Sequence, residues 1–232
     1  METSQHSAFE ATLPHSREWY QALASNQGQY AYPWKQVLSA PGGEDWFSHL
    51  LEQSLSSEKR VLEAGCAHAP DARRFAHLTA SWTGYDWMEG FLVEARKHVP
   101  GGHFVCWDGK SDVPDGLKGA YDVLVSRRGP TSFLNHIKTF AAPGAHMLCV
   151  YPTEDIRTKV LHQLEQVQAD VLGEWTFRTR GFLPEFQDFL LYQRWHGDSH
   201  SEAELEQTWD SQATPAGFPI LEERYVVQAR MG

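Results

Sequence analysis

Three acidic residues stand at or beside the ends of short apolar runs, where a carboxylate can meet a ligand. Glu63, Asp86 and Asp108 each belong to or follow a run rich in β-branched or aromatic residues. If these runs are parallel strands, their carboxyl ends meet at one edge of a sheet, where α/β folds bind ligands. Carboxylates accept hydrogen bonds from hydroxyl and amine groups, so the three acids predict a ligand that carries such groups. For Asp86 or Asp108 alone, a solvated strand-end or turn residue is an equally good interpretation.

The segment after Glu63 reads AGCAHA and predicts a turn that opens a helix. A dinucleotide fingerprint has three glycines, because backbone amides must approach a pyrophosphate closely. Only Gly65 is a glycine here, and Ala67 and Ala69 stand where further glycines would be expected. We therefore expect neither NAD nor FAD, and a ligand without a pyrophosphate stays open. An ordinary strand-to-helix turn is the alternative.

The spacing and the neighbours of the acids favour a nucleoside. Asp86 follows Glu63 by 23 residues, close to the roughly 20-residue spacing at which an acidic side chain hydrogen-bonds a ribose. Trp107 directly precedes Asp108, so an aromatic plane lies beside a carboxylate that can accept from an exocyclic amine. Three acids at strand ends are less expected by chance than any one of them.

Alternating strand and helix patterns must position these acids. Strands are predicted at 60–64, 81–86, 103–107, 121–126, 146–151, 175–180 and 221–229. Helices are predicted at 71–77, 88–98, 131–140, 153–172, 183–195 and 201–209. Strict alternation implies parallel strands joined by right-handed crossovers. The sequence therefore predicts an α/β fold with a doubly wound, mostly parallel sheet.

The first 58 residues differ from the rest of the chain. They are aromatic, polar and helical in pieces, with too little apolar content for a core of their own. We expect an N-terminal helical cap at 1–58 and an α/β domain at 59–232. A substrate-binding insertion is a candidate at 181–215.

Charge and composition argue against several kinds of partner. The chain of 232 residues has 20 Lys and Arg against 30 Asp and Glu, for a formal net charge of −10. Nucleic acids and anionic membranes bind through clustered cations, so we expect neither as a partner. Nine Trp, eight Tyr and twelve Phe residues make a ligand-lining role for some of them a first hypothesis.

The cysteines and the apolar runs predict a cytoplasmic protein. Cys66, Cys106 and Cys149 cannot form a complete set of disulfides, and each lies in or beside an apolar run. Buried, reduced thiols are therefore expected, with a redox or nucleophilic role as the alternative. No run approaches the roughly 18 apolar residues of a membrane span, and the start METSQHSAFE has no signal-peptide pattern.

Five segments follow one another in the order VLEAGCAHAPDA, GYDWMEGFLVEAR, VCWDGKSDVP, YDVLVSRRGP and FAAPGAHMLCVYP. Together they resemble the class I S-adenosylmethionine-dependent methyltransferases, and the resemblance covers roughly residues 58–152. The C-terminal EERYVVQARMG is similar to the last strand of the family. The resemblance implies a seven-stranded sheet with helices on both faces and an antiparallel last strand. It also implies S-adenosylmethionine as the cofactor and S-adenosylhomocysteine as the product.

The resemblance carries cofactor roles to particular residues. Glu63 would serve the methionine end of the cofactor, and Asp86 would bind the ribose hydroxyls. Asp108 would accept from the adenine amine. The remaining implied contacts are the turn residues Gly65, Cys66 and Ala67, then Trp87 and Met88 beside the sugar and adenine, Trp107 and Gly109 at the ring, and Ser126 near the sulfonium. Ala67 and Ala69 depart from the glycines usual in the family, and their methyl groups would crowd the cofactor or change the loop.

Substrate contacts are predicted with structural alternatives beside them. Arg127 and Arg128 follow the fourth predicted strand and suit a carboxylate or phosphate, with structural ion pairing as the alternative. Tyr30, Trp34 and Tyr192 are candidates to line the acceptor, with core packing as the alternative.

Three histidines also suggest chemistry. His68, inside the turn, is a weak candidate for a general base, and the alternative is an exposed loop residue. His196 and His200 flank Asp198 in a metal-like spacing, but the segment reads better as a polar loop, so no metal is expected.

The sequence thus predicts methyl transfer from S-adenosylmethionine to a small acceptor, with an anionic acceptor as one option. Methyl transfer is an in-line displacement that depends on alignment, so the lack of a catalytic triad counts for little. The first alternative is a non-catalytic module that binds S-adenosylmethionine or S-adenosylhomocysteine. A protein or RNA methyltransferase is a weaker one. Whether the chain is a monomer or a homodimer is left open.

Overall fold

The computed structural model describes residues 14–232 as alternating helices and strands. Within that range the α-helices are α1 (Arg17–Gln27), α2 (Gly43–Ser54), α3 (Pro70–Phe75), α4 (Glu89–His98), α5 (Ile137–Phe140), α6 (Arg157–Gln166), α7 (Phe186–Trp195) and α8 (Glu202–Gln212). The strands are β1 (Val37–Leu38), β2 (Arg60–Ala64), β3 (Ser81–Asp86), β4 (His103–Cys106), β5 (Tyr121–Arg127), β6 (Ala141–Tyr151), β7 (Asp170–Leu183) and β8 (Phe218–Arg230).

The strands form one mixed sheet in the order β1-β7-β8-β6-β5-β2-β3-β4. The pairs β2–β3, β2–β5, β3–β4 and β5–β6 are parallel. Strand β8 runs antiparallel to β6, and the two-residue β1 runs antiparallel to β7. The mostly parallel doubly wound sheet and its antiparallel last strand are confirmed. β1 adds an eighth strand to the predicted seven.

Apolar residues along the strands point alternately to the two faces of the sheet, and each face packs in a hydrophobic core of its own. Leu62 and Ala64 of β2 pack in one core with α5 and α6, whereas Val61 packs in the other with α2, α3 and α4. This alternation is the period of two that a pleated strand imposes. Burial on both faces explains why the parallel strands read as continuous apolar runs.

The chain divides into two compact units. Among the described residues, one comprises 42–177 and 223–232, and the other comprises 14–41 and 178–222. Helix α2 belongs to the first of these, which contains β2 to β6, because Phe47, Leu50 and Leu51 are buried in the core of that unit. The sequence interpretation had instead put the boundary at residue 58.

The unit that contains β1, α7 and α8 has an aromatic core of its own. Trp195 lies at its centre, 4% exposed, and makes ring contacts with Trp19, Tyr30, Tyr32 and Trp34. The aromatic surplus of the sequence is therefore concentrated partly here.

One predicted helix is too long, and one cysteine that was expected to be buried is exposed. The helix predicted at 153–172 ends at Gln166, because Gln168 adopts a left-handed φ of 58° and the chain is already a strand at Asp170. Val171 is therefore 42% exposed and lies outside the helix. Cys66 and Cys149 are buried as expected, but Cys106 is exposed, since β4 is an edge strand of the sheet.

Across residues 14–232, none of the helices has the length and apolar character needed to cross a membrane.

Candidate functional site at the carboxyl edge of the sheet

The register of the parallel strands brings the predicted acidic strand ends to one edge. Glu63 pairs with Gly84, Ala64 pairs with Tyr85, and Asp86 pairs with Cys106. Chain segments that follow β2, β3, β4 and β5 therefore leave the sheet side by side. This edge is the carboxyl edge at which α/β sheets bind ligands.

The turn after β2 has a backbone that glycine usually supplies. Gly65, Ala67 and Ala69 have φ angles of 68°, 46° and 57°. An alanine in the left-handed region costs roughly 1–2 kcal/mol. Ala67 and Ala69 thus adopt the left-handed backbone that glycine would be expected to supply at these positions. Both residues are buried, with exposures of 8% and 0%.

The end of β3 holds this turn in place. The amides of Gly65 and Cys66 both donate to the carbonyl oxygen of Tyr85, at 2.9 and 3.0 Å. The amide of Ala67 donates to Oδ2 of Asp86 at 3.0 Å, and the amide of Met88 donates to Oδ1 at 2.9 Å. Asp86 therefore ties the turn after β2 to the loop after β3.

The protonation state of the Asp86 carboxyl group changes with pH near neutrality. It is 7% exposed, and burial raises its pKa to about 6, although three backbone amides oppose that rise. Since this pKa lies above the ordinary 3.8, the contribution of Asp86 to folding stability is full below pH 3.8 and is lost as the pH rises through about 6.

The side chain of Glu63 is buried inside the protein. Its side chain is 3% exposed and accepts a hydrogen bond from Trp82 Nε1 at 2.9 Å. Burial, with the nearby charge of Asp71, raises its pKa well above the usual value. Burial also raises the pKa of the Cys66 thiol, which the charge of Glu63 raises further. This thiol is therefore a poor nucleophile.

Asp108 and its neighbours form an accessible part of the edge. Asp108 is exposed and accepts hydrogen bonds from the amides of Lys110 and Ser111. Trp107 is 5% exposed and packs against Tyr85. Gly109 has a φ of 70°, and a Cβ there would lie 3.1 Å from Ser132 Oγ. Trp87, in the loop after β3, is half-buried.

The loop after β5 packs directly against the turn, which the sequence did not reveal. A Cβ at Gly65 would lie 2.7 Å from Pro130 Cδ, and a Cβ at Gly129 would lie 2.4 Å from the carbonyl oxygen of Ala64. Ser126 is fully buried and donates to that same oxygen at 3.2 Å. The pattern Gly-Pro after a strand is a turn signal, but nothing in it names Gly65 as its contact.

Arg127 is held by acidic residues of two helices. Its guanidinium donates to both carboxylate oxygens of Asp71, to Glu44 and to the hydroxyl of Ser48. The ring of Phe47 lies 4.4 Å below it. This geometry favours the structural alternative for Arg127, an ion pair inside the protein.

The carboxylate of Glu44 forms ion pairs with three arginines. Arg127, Arg128 and Arg224 all form ion pairs with its carboxylate. Burial alone would raise the pKa of Glu44, but the three cations outweigh burial and hold the pKa below the ordinary value. Glu44 and Asp71 thus belong to the edge, although the sequence interpretation assigned them no role.

The other predicted residues lie in different surroundings. His68 is half-buried in the turn, and partial burial followed by the charge of Arg73 lowers its pKa. Tyr30, Trp34 and Tyr192 belong to the other unit. His200 Nδ1 contacts Asp198 at 2.7 Å, and no cluster of three metal-ligating side chains occurs in the described part of the chain.

Comparison with solved structures identifies the fold. A protein of unknown function from Deinococcus radiodurans R1 is 38% identical, with a TM-score of 0.80, and the alignment covers 93% of this chain and all of that one. A proposed methyltransferase from Bacillus halodurans is 16% identical, with a TM-score of 0.60 and coverage of 81% and 99%. A SAM-dependent methyltransferase from Corynebacterium glutamicum is 12% identical, with a TM-score of 0.53 and coverage of 80% and 87%.

The fold is that of the class I S-adenosylmethionine-dependent methyltransferases, as the sequence resemblance predicted. The chain belongs to one family with the Deinococcus radiodurans protein. No protein-family profile matches the sequence. No curated protein matches it either.

Replacing Ala67 with Gly should relieve the left-handed strain in the turn. We expect the free energy of unfolding to stay level or to rise by up to about 1 kcal/mol, because strain relief is partly offset by a more flexible unfolded chain. Ala76 has an ordinary φ of −59° and is the control: Ala76→Gly should lower stability by about 1 kcal/mol. Urea titration measures both changes, and equal losses in the two variants would disprove the strain assignment.

Removing Arg127 should leave the buried carboxylate of Asp71 without the guanidinium that it binds, whereas Glu44 keeps Arg128 and Arg224. We expect Arg127→Gln to lower the free energy of unfolding by about 3 kcal/mol. Arg157 pairs with Glu174 at an exposed site, where the arginine side chain is 46% exposed, so Arg157→Gln should cost less than about 1 kcal/mol. If chemical denaturation gives the same small loss for both variants, the network around Arg127 does not stabilise the fold.

Proposed function

We propose that this protein binds S-adenosylmethionine at the carboxyl edge of the sheet and transfers its methyl group to a small acceptor. The observation that carries the proposal is the left-handed turn at Gly65, Ala67 and Ala69, fixed against the carboxylate of Asp86. A glycine-type turn beside an acidic strand end suits a nucleoside. The class I methyltransferase fold supports the same ligand.

The residues at this edge fit an adenosyl group. Asp86 supplies a carboxylate for the ribose hydroxyls, next to Trp87 and Met88. Asp108 is exposed and can accept from the adenine amine, and the left-handed Gly109 leaves room that a Cβ would fill toward Ser132. The residues proposed for the methionine end are Glu63, Gly65, Cys66, Ala67 and Ser126.

When bound, S-adenosylmethionine supplies a methyl group already activated on a sulfonium. The chain then has to align the acceptor with that methyl group and exclude water. His68 has a lowered pKa and is therefore neutral at pH 7, so it can accept a proton from an acceptor that must lose one.

The charge of the acceptor is not part of this proposal. Arg127 and Arg128 already have carboxylate partners in Glu44 and Asp71, so an anionic acceptor would have to displace Glu44. We do propose a small molecule and no nucleic acid, because the net charge is −10. A cytoplasmic location is proposed on the same composition and on the buried thiols of Cys66 and Cys149.

A non-catalytic binding module is the second candidate function. The methyl groups of Ala67 and Ala69 occupy a turn that glycine would leave open, and Pro130 packs closely against Gly65. Both features reduce the space that a ligand could occupy beside the turn. A protein that senses S-adenosylmethionine or S-adenosylhomocysteine needs the nucleoside site but no acceptor aligned with the methyl group.

Calorimetric titration with S-adenosylmethionine and S-adenosylhomocysteine tests the cofactor site. We expect saturable binding of both, and at least about tenfold weaker binding to Asp86→Ala, which loses charge-assisted hydrogen bonds to the ribose. Asp112, an exposed acid, is the control, and Asp112→Ala should bind as the parent does. No binding at millimolar ligand would reject the function, and unchanged affinity in a folded Asp86→Ala would reject the assigned pocket.

Binding should weaken at acid pH, because a protonated Asp86 is a poorer acceptor for ribose hydroxyls. With the pKa at about 6, we expect S-adenosylhomocysteine to bind about tenfold more weakly at pH 5 than at pH 7. The change should centre on the pKa of Asp86 and be absent in Asp86→Asn. An affinity that is flat between pH 5 and pH 7 would contradict this role.

Product analysis separates the enzyme from the sensor. The protein is incubated with S-adenosylmethionine and a panel of small carboxylates, phenols, amines and thiols, and S-adenosylhomocysteine is measured. Acceptor-dependent product supports the enzyme. Tight binding without product across the panel supports the sensor.

A further inference from the structure

Asp188 is a buried carboxylate in the unit that contains α7. It is 8% exposed. Its Oδ1 atom accepts a hydrogen bond from the Lys35 amide at 2.8 Å, whereas Oδ2 is buried and has no hydrogen-bond partner within residues 14–232. A buried carboxylate oxygen without a donor is costly, so a native structure that keeps one calls for an explanation.

Aromatic rings surround the face of α7 that carries Asp188. Tyr192 lies four residues further along the helix, and side chains with that spacing share a face. The Trp34 ring contacts Tyr192 at 5.3 Å and Trp195 at 5.4 Å between centroids, both nearly edge to face. Tyr32 stacks on Trp34 at 4.4 Å. Because Trp34 adjoins Lys35, these rings and the Asp188 carboxylate lie together.

This combination suits a cation that carries N–H groups. The faces of Trp and Tyr rings attract cations, and the unpartnered Oδ2 atom needs a donor. The bond from Lys35 to Oδ1 fixes the carboxylate beforehand, so binding does not have to order it. Tyr192 and Tyr32 are half-buried, which leaves part of the aromatic group in contact with solvent.

We propose that Asp188, Trp34 and Tyr192 form a binding site for a primary or secondary ammonium group on an apolar body. The ammonium donates to Oδ2 of Asp188 and lies against the aromatic rings, which also cover the apolar body. The site goes beyond the proposed methyl transfer and does not rest on it.

Binding of 2-phenylethylammonium, with 2-phenylethanol as its neutral isostere, tests the site in the full chain without S-adenosylmethionine. Calorimetry at neutral pH should give an affinity for the amine about tenfold or more above that for the alcohol, since a charged hydrogen bond is lost in the alcohol. Asp188→Asn keeps an acceptor for the Lys35 amide and should remove that preference. Asp210, exposed on α8, is the matched control, and Asp210→Asn should leave the preference unchanged.

Equal affinities for the amine and the alcohol in the parent protein would overturn the proposal, as would a folded Asp188→Asn that keeps the preference. Absence of saturable amine binding at millimolar concentration would overturn it too. If Asp188→Asn does not fold, Tyr192→Leu replaces it, and weakened binding of the amine is expected there. None of these readouts depends on methyl transfer, so failure of the proposed function would leave this test intact.

Discussion

The hydrogen bonds from the turn after β2 to the end of β3 are the constraint on which the rest of the edge depends. The carbonyl of Tyr85 takes two amides and the carboxylate of Asp86 takes a third. These bonds keep Ala67 in a left-handed conformation that an alanine does not favour. The same bonds bring Asp86 under the turn, where burial raises its pKa to about 6. The turn and the acid are therefore coupled: burial raises the pKa of Asp86, and the hydrogen bond from Ala67 opposes that rise.

The ion network around Glu44 fixes the other side of the edge. Arg127 at the end of β5, Arg128 in the following loop and Arg224 in β8 all pair with this one carboxylate. Their shared partner anchors the start of the loop after β5, and Pro130 of that loop packs against Gly65. The charges of Arg127 and Arg128 suggested a binding site for an anion, but in the structure they hold the loop after β5 in position.

Local sequence patterns predicted the strands well, but they did not predict which side chains contact each other across the fold. The bounds of β2 and β3 follow from apolar runs that end at a turn or at an acid, and the structure has both as predicted. The end of α6 was missed because Val167 and Val171 continue a helical spacing, although the left-handed Gln168 ends the helix. The partners of Arg127 lie 83 and 56 residues away in the sequence, and no local pattern pairs charges at that distance. The orphaned oxygen of Asp188 is likewise visible only in three dimensions.

A crystal structure of the complex with S-adenosylhomocysteine tests the central claim most directly, namely that the left-handed turn and Asp86 form a nucleoside site. We predict that the ribose hydroxyls lie within hydrogen-bond distance of Asp86, that the adenine lies beside Asp108 and Gly109, and that Ala67 and Ala69 keep positive φ angles. A nucleoside bound elsewhere on the chain, or a turn that abandons its left-handed residues when the ligand binds, would contradict that claim.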